Sequence, residues 1–284
     1  MRQHGTLRLL ALAICAGVGG GRAIGAGAAT PATTLPHRVV TLAQNLTEIV
    51  FAVGAGESLV GVSDYSDFPP QARSLSRVGG LDVSVERVAS LRPDLVLATA
   101  EGNARGPVTA LSAAGVPVLV VPAGSLDAVL QGIRLVGERL GRGKDAENLA
   151  ERLSRRRQAV RESLSGRHRP RAVLLVWPDP PQAAGGRTFL NDVLTEAGAE
   201  NLLAGRPGWP LVSPEWLATA PIEVLVVPDS EQTRPAYERA FAAGPLSRGT
   251  VGRVRVVRVE ESALTRPGPR VFDALEQLAR ELRR

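Results

Sequence analysis

KDAENLAERLSRRRQAVRESLS, residues 144–165, carries no strand signal and breaks the rhythm of the chain around it. Ala146, Leu149, Ala150, Leu153, Val160 and Leu164 recur at helical spacing among charged residues, which predicts one long amphipathic helix. At a rise of 1.5 Å per residue it would reach about 33 Å, enough to cross from one lobe of a protein to another. Gly141 and Gly143 before it, and Gly166 and Pro170 after it, are stop signals on both sides.

On either side of this segment, short β-branched runs alternate with longer helical patterns. Strands are predicted at 39–42, 59–62, 95–99 and 117–121 before it, and at 172–177, 224–227 and 254–259 after it. Helices are predicted at 45–54, 84–91, 104–114 and 125–141, then at 188–198, 214–220, 234–243 and 269–283. That rhythm is α/β: two Rossmann-like lobes with central, mainly parallel sheets, joined by one long backbone helix. The expected boundaries are 36–143 for the N-terminal lobe, 144–166 for the interlobe helix and 170–284 for the C-terminal lobe. The halves echo each other: Val85-Glu86-Arg87-Val88-Ala89 leads into Pro93-Asp94-Leu95, as Pro214-Glu215-Trp216-Leu217-Ala218 leads into Pro221-Ile222-Glu223-Val224. In each lobe a glutamate thus opens a short helix that feeds a buried strand.

Residues 1–29 differ in composition, with Arg2 and Arg8, an apolar run from Leu9 to Val18, and small residues ending at Ala28 and Ala29. This order is a secretory signal peptide, so the mature chain is expected in the periplasm. Leu12-Ala13-Ile14-Cys15 is a poor lipobox, because a branched residue precedes the cysteine where a small one is expected. Cys15 is the single cysteine, so the mature chain is expected to have neither disulfides nor thiolate metal sites. The formal charge of +6 includes three arginines within residues 1–29, and the remainder is nearly balanced. Arg155-Arg156-Arg157 is the one dense basic run and reads as a solvated helix face, so nucleic acid is not an expected partner. His37 and His168 lie far apart along the chain, and no Ser-His-acid arrangement suggests itself. Neither catalysis nor a protein-bound metal is expected.

Specific strings carry a family resemblance. They are Arg38-Val39-Val40-Thr41-Leu42, Thr47-Glu48, Val60-Gly61-Val62-Ser63, Tyr65-Ser66-Asp67-Phe68-Pro69-Pro70, Arg77-Val78-Gly79-Gly80 and Leu91-Arg92-Pro93-Asp94-Leu95-Val96. In the second lobe they are residues 189–203, Trp209-Pro210-Leu211-Val212-Ser213-Pro214-Glu215 and Gly268-Pro269-Arg270-Val271. Together they resemble the helical-backbone periplasmic substrate-binding proteins of ABC importers, most closely the vitamin B12 binders, over roughly residues 37–283.

The resemblance implies a monomer that takes a small molecule into an interlobe cleft and delivers it to a membrane permease. It implies a corrinoid, vitamin B12 or cobinamide, as that ligand, with no resident cofactor. Tyr65 matches the family's ligand-stacking tyrosine and Trp209 an aromatic cleft residue of the second lobe. Trp177, at a strand end, is a candidate for cleft lining or core capping. Glu86 and Glu215 match the acidic pair that docks on permease arginines. Thr99 and Gln182 stand at cleft positions where corrinoid binders tend to carry rings, and Leu81-Asp82, Ala183 and Ser262-Ala263 also depart from that pattern. A cleft with fewer rings also suits a haem, for which Tyr65 is the available axial ligand. A ferric siderophore would instead favour convergent arginines such as Arg105, Arg187 or Arg266. Readings of another class are an exported enzyme on the same scaffold or a protein-binding scaffold domain.

Overall fold

The computed structural model describes residues 35–80, 82–243, 246 and 254–284. The expected leader 1–29, Cys15 and Leu81 lie outside the described residues. The first half runs β1 (Val39–Thr41), α1 (Gln44–Ala52), β2 (Leu59–Val62), β3 (Ser76–Arg77), α2 (Val85–Ser90), β4 (Leu95–Thr99), α3 (Arg105–Ala113), β5 (Val118–Val121) and α4 (Leu126–Arg139). Its strands pair in the order β3-β2-β1-β4-β5, every pair parallel. The buried runs Val39-Val40-Thr41 and Leu95 to Thr99 lack polar alternation because helices cover both faces of a parallel sheet.

Helix α5 (Gly143–Ser163) follows. The second half contains β6 (Arg171–Pro178), β7 (Pro181–Ala183), α6 (Phe189–Glu196), β8 (Glu200–Asn201), α7 (Pro214–Thr219), β9 (Val224–Asp229), α8 (Arg234–Ala242), β10 (Arg255–Glu260), α9 (Glu261–Thr265) and α10 (Val271–Leu282). Its sheet has the order β10-β9-β6-β7, with β8 also on β6, and only β7 is antiparallel. The strands β3, β7 and β8 and the helix α9 were not anticipated. At two to five residues they are too short to show a hydrophobic period. Helix α9 exists because the Glu260 carboxylate accepts the backbone N–H groups of Ser262 and Ala263 at its start, at 3.0 and 2.7 Å.

Helix α5 buries Ala146, Leu149, Ala150, Leu153 and Val160, and it packs on α4 and on α10. Contact with α4 is close at Gly137, where an added Cβ would lie 2.1 Å from the Cβ of Ala146. One continuous apolar cluster runs from Val39 and Leu97 of the first sheet through Leu149 and Leu153 of α5 to Leu174 and Val226 of the second. A shared core of this kind lets the lobes move against each other only by disrupting close packing.

The arginine run of α5 departs from the expected solvated face. Arg157 is buried, and its guanidinium grips Glu196 of α6 through two hydrogen bonds of 2.7 and 2.6 Å. A third goes to Asp127 of α4. Arg156 holds Asp273 and Glu276 of α10, at 2.6 and 2.7 Å. Burial pushes the Glu196 carboxyl up, but hydrogen bonds from Arg157 and Arg161 outweigh it and hold the group below its usual range. Two arginines of the run are therefore fasteners between elements, and only Arg155, paired at 3.4 Å with Glu151 one turn away, stays on a solvated face.

Candidate functional site

The N-terminal sheet reverses its direction of growth at β1, which lies between β2 and β4. In open α/β sheets ligands bind beyond the carboxyl ends of the strands at such a point. A cleft of about 510 Å³ opens there. Its first wall comes from the chain at and beyond the strand ends: Gln44 and Asn45 at the start of α1, Tyr65 after β2, Thr99 closing β4 and Glu101 after it, and Ala123 and Gly124 after β5.

Tyr65 is 52% exposed and stands on a turn that is braced from below. A buried chain of hydroxyls links Thr41, Thr47, Ser66 and Ser63 at 2.7–2.9 Å. Arg77 donates to the carbonyls of Ser63 and Ser66, at 2.9 and 2.7 Å. Gly80 leaves room for the ring, since a Cβ there would lie 2.8 Å from its Cε2. Gly79 adopts φ +112°, and a Cβ would lie 2.2 Å from the carbonyl oxygen of Asp82, so both glycines of Val78-Gly79-Gly80 are needed to present Tyr65.

The opposite wall holds Arg187 and Thr188 from the β7–α6 loop, Phe189 at the start of α6, Gly208 and Trp209 from the segment before α7, Thr265 at the end of α9 and Pro267 after it. Trp209 is 44% exposed and meets Phe189 edge to face, with centroids 6.3 Å apart. Gln182 donates its amide to the Trp209 carbonyl at 3.1 Å. Backbone hydrogen bonds from Gly185 to Gly208 (2.9 Å), from Gly208 to Gly186 (2.8 Å) and from Gly186 to Arg206 (2.8 Å) close the loop. The segments are so near that a Cβ on Gly185 would lie 1.9 Å from the Arg206 carbonyl oxygen. Gly185→Ala must therefore push the tryptophan loop away. The expected result is a stability loss of about 1–3 kcal/mol in chemical denaturation, typical of overpacking. An unchanged midpoint would show that the loop yields freely.

The lobes are also joined beside the cleft. Glu48 of α1, almost fully buried, receives two hydrogen bonds from Arg270, at 3.0 and 2.7 Å, and Arg266 reaches both Glu48 and Asp67. The Arg270 guanidinium sits 4.1 Å from the centre of the Phe68 ring. Asn45 donates to the Pro267 carbonyl at 3.2 Å. Hydrogen bonding to Arg266 holds the Asp67 carboxyl below its usual range, so this carboxylate stays charged at neutral pH.

Of the residues singled out from sequence, Tyr65, Trp209 and Thr99 line one cleft. Trp177 and Gln182 do not line it. Strand β6 continues through Trp177 and folds back into β7, which pairs Trp177 with Gln182, and the Trp177 indole N–H is held by the Asp179 carbonyl at 2.8 Å. Gln182 acts at one remove, through the Trp209 carbonyl. Among the arginines considered for an anionic chelate, Arg187 lines the cleft, Arg266 is engaged in the ionic bridge, and Arg105 opens α3 outside the lining. Gln44, Asn45, Glu101 and Phe189 were missed, although the rule that ligands bind beyond the carboxyl ends of the strands points to the first three. Glu86 and Glu215 are exposed, each in the first turn of a six-residue helix whose capping serine, Ser84 or Ser213, accepts a backbone N–H at 3.2 Å.

A hollow of about 620 Å³ at the far end of α5, lined by Arg161, Arg167, His168 and Arg169 among others, has no Phe, Tyr or Trp and draws only on that helix end and the second lobe. It lacks the facing rings of the cleft. Among the described residues no cluster of three or more His, Cys, Asp or Glu side chains could hold a metal ion, and no helix is long and apolar enough to cross a membrane.

Known proteins share this fold. The profile of the periplasmic binding protein family matches residues 39–250. An uncharacterized ABC transporter substrate-binding lipoprotein of Bacillus subtilis (strain 168) is 30% identical over 254 residues, which span 87% of this chain and 80% of the relative. The vitamin B12-binding protein of Pectobacterium carotovorum (strain PC1) is 29% identical over 257 residues, 89% of this chain and 91% of the relative. Among solved structures, the periplasmic vitamin B12 binding protein of Vibrio cholerae superposes with a TM-score of 0.77 at 26% identity, covering 87% of this chain and 97% of its own. The periplasmic heme-binding protein of Roseiflexus sp. RS-1 superposes at 0.75 and 29% identity, covering 86% and 96%.

Proposed function

We propose that this chain, which belongs to the periplasmic binding protein family, is the substrate-binding component of an ABC importer and captures a corrinoid, vitamin B12 or cobinamide, between its lobes. The observation that carries this reading is the placement of Tyr65 and Trp209, half-exposed rings from opposite lobes, on one cleft. Flat macrocycles present wide apolar faces, and rings already held in place cover them with little further loss of rotamer freedom. Relatives named for vitamin B12 support the corrinoid. The protein would work outside the inner membrane as a monomer, bind without turnover and carry no resident cofactor, the corrinoid being cargo. Haem is the second reading, favoured by the similarity to a heme-binding protein and by a cleft phenol, Tyr65, able to ligate iron.

The test is a thermal-stability titration of the protein with cyanocobalamin, dicyanocobinamide and haemin. A ligand at a hundredfold excess over its Kd stabilises by about 2.7 kcal/mol, a shift of several degrees for a chain of this size. A shift with haemin alone would replace the corrinoid by haem, and no shift with any of the three would remove the macrocycle reading.

Delivery would use Glu86 and Glu215, exposed at matching places in the two lobes. Exposed ion pairs contribute about 0–1 kcal/mol each, which suits a reversible encounter rather than a permanent complex. The double variant Glu86→Ala, Glu215→Ala should therefore keep full ligand affinity while uptake into cells falls severalfold. Normal uptake by the double variant would place the docking surface elsewhere.

A further inference from the structure

We propose that Arg187 reads an anionic substituent on the edge of the ligand, so that the preferred cargo is a macrocycle carrying such a group. This rests on the macrocycle reading above and adds a selection rule to it.

The cations around the cleft divide sharply. Arg77 is consumed by two loop carbonyls, Arg266 by Asp67 and Glu48, and Arg270 by Glu48 with the Phe68 face. Arg187 lines the cleft and is exposed, and among the described residues it makes neither a hydrogen bond nor an ion pair. Its backbone has φ +60°, a left-handed conformation that a non-glycine residue adopts at a cost. Among the described residues the other non-glycine with this backbone, Arg92, directly follows the C-cap of α2, where left-handed geometry is ordinary. Arg187 has no helix to end: it precedes Thr188, the N-cap of α6, and follows the tightly packed Gly185-Gly186 pair. That conformation thus leaves a free guanidinium on the cleft.

The facing wall defines the sign. Glu101 lines the cleft from the end of β4, one carboxylate oxygen accepting the Ala123 N–H at 2.9 Å. It would repel a ligand anion and suits peripheral amide donors, which directs acidic groups to the Arg187 side. A guanidinium is weakly hydrated and offers a planar fork of donors that fits phosphate or carboxylate oxygens in pairs. Two sources carry this chemistry: the phosphodiester of a complete cobalamin and the propionates of haem.

Calorimetric titration of the parent protein, Arg187→Gln and Arg187→Lys separates the possibilities, using cyanocobalamin against dicyanocobinamide, which lacks the phosphodiester, and haemin against haemin dimethyl ester, which lacks free carboxylates. Within whichever pair the parent binds, Arg187→Gln should weaken the anionic member about tenfold or more and the other member less than about twofold, as expected for one hydrogen bond to a charged group. Arg187→Lys should fall between. Equal losses for both members of a pair, no loss for either, or a parent that prefers the member without the anion would overturn the inference and leave the macrocycle reading standing. A parent that binds none of the four probes would remove the reading itself.

Discussion

Trp209→Ala should weaken binding of the true ligand by roughly thirtyfold, and Tyr65→Ala should do nearly as much, while Trp177→Ala leaves it unchanged. The magnitude follows from area. A ring that covers on the order of 80 Å² of macrocycle contributes about 2 kcal/mol at 25 cal/mol per Å², and 1.4 kcal/mol is a factor of ten. Trp209 gains from preorganisation, since Phe189 supports its ring edge to face and Gln182 holds its carbonyl. Tyr65 rests on Gly80 and the Arg77-braced turn. Trp177 is the control that gives the comparison its meaning, because it is as exposed as Trp209, at 47%, yet lies on the β6–β7 hairpin outside the cleft lining. If Trp177→Ala proved as damaging as Trp209→Ala, the ligand would sit elsewhere.

The second large effect concerns stability. Arg157→Ala should destabilise the protein by about 3 kcal/mol or more, the loss seen when one member of a buried pair is removed, and should lower the melting temperature by roughly 10 °C. Glu196 would stay behind with its side chain 13% exposed and Arg161 to answer it, so the burial that already pushes its carboxyl up would meet less opposition. The double variant Arg157→Met, Glu196→Leu should recover most of the loss, because it removes both charges and fills the space. Failure of the double variant to recover would mean that the arginine stem, rather than its charge, fastens α5 to α6.

These two results bear on the same property, the stiffness with which the lobes are held. Helix α5 shares an apolar core with both sheets, Arg156 and Arg157 tie it to α10, α6 and α4, and Glu48, Asp67, Arg266 and Arg270 join the lobes beside the cleft. Rings presented by such a frame are near their binding positions before the ligand arrives, which reduces the ordering cost of capture.

Much of this was legible in the chain itself. The α/β rhythm, the long helix and every strand except β3, β7 and β8 follow from the spacing of apolar side chains, a property each segment carries alone. Tyr65 and Trp209 stood out because they are aromatic residues in loops of a chain that has only ten. Tertiary structure decided the rest. Arg156 and Arg157 look like surface charge until partners 120 and 39 residues away close on them, and Arg270 meets Glu48 across 222 residues. The same holds for which arginine remains free: Arg187 and Arg266 are indistinguishable as letters, and only the fold puts Asp67 and Glu48 against one and open cleft against the other. Periodicity is local and survives in one dimension, whereas the pairing of a charge depends on which distant segments packing brings beside it.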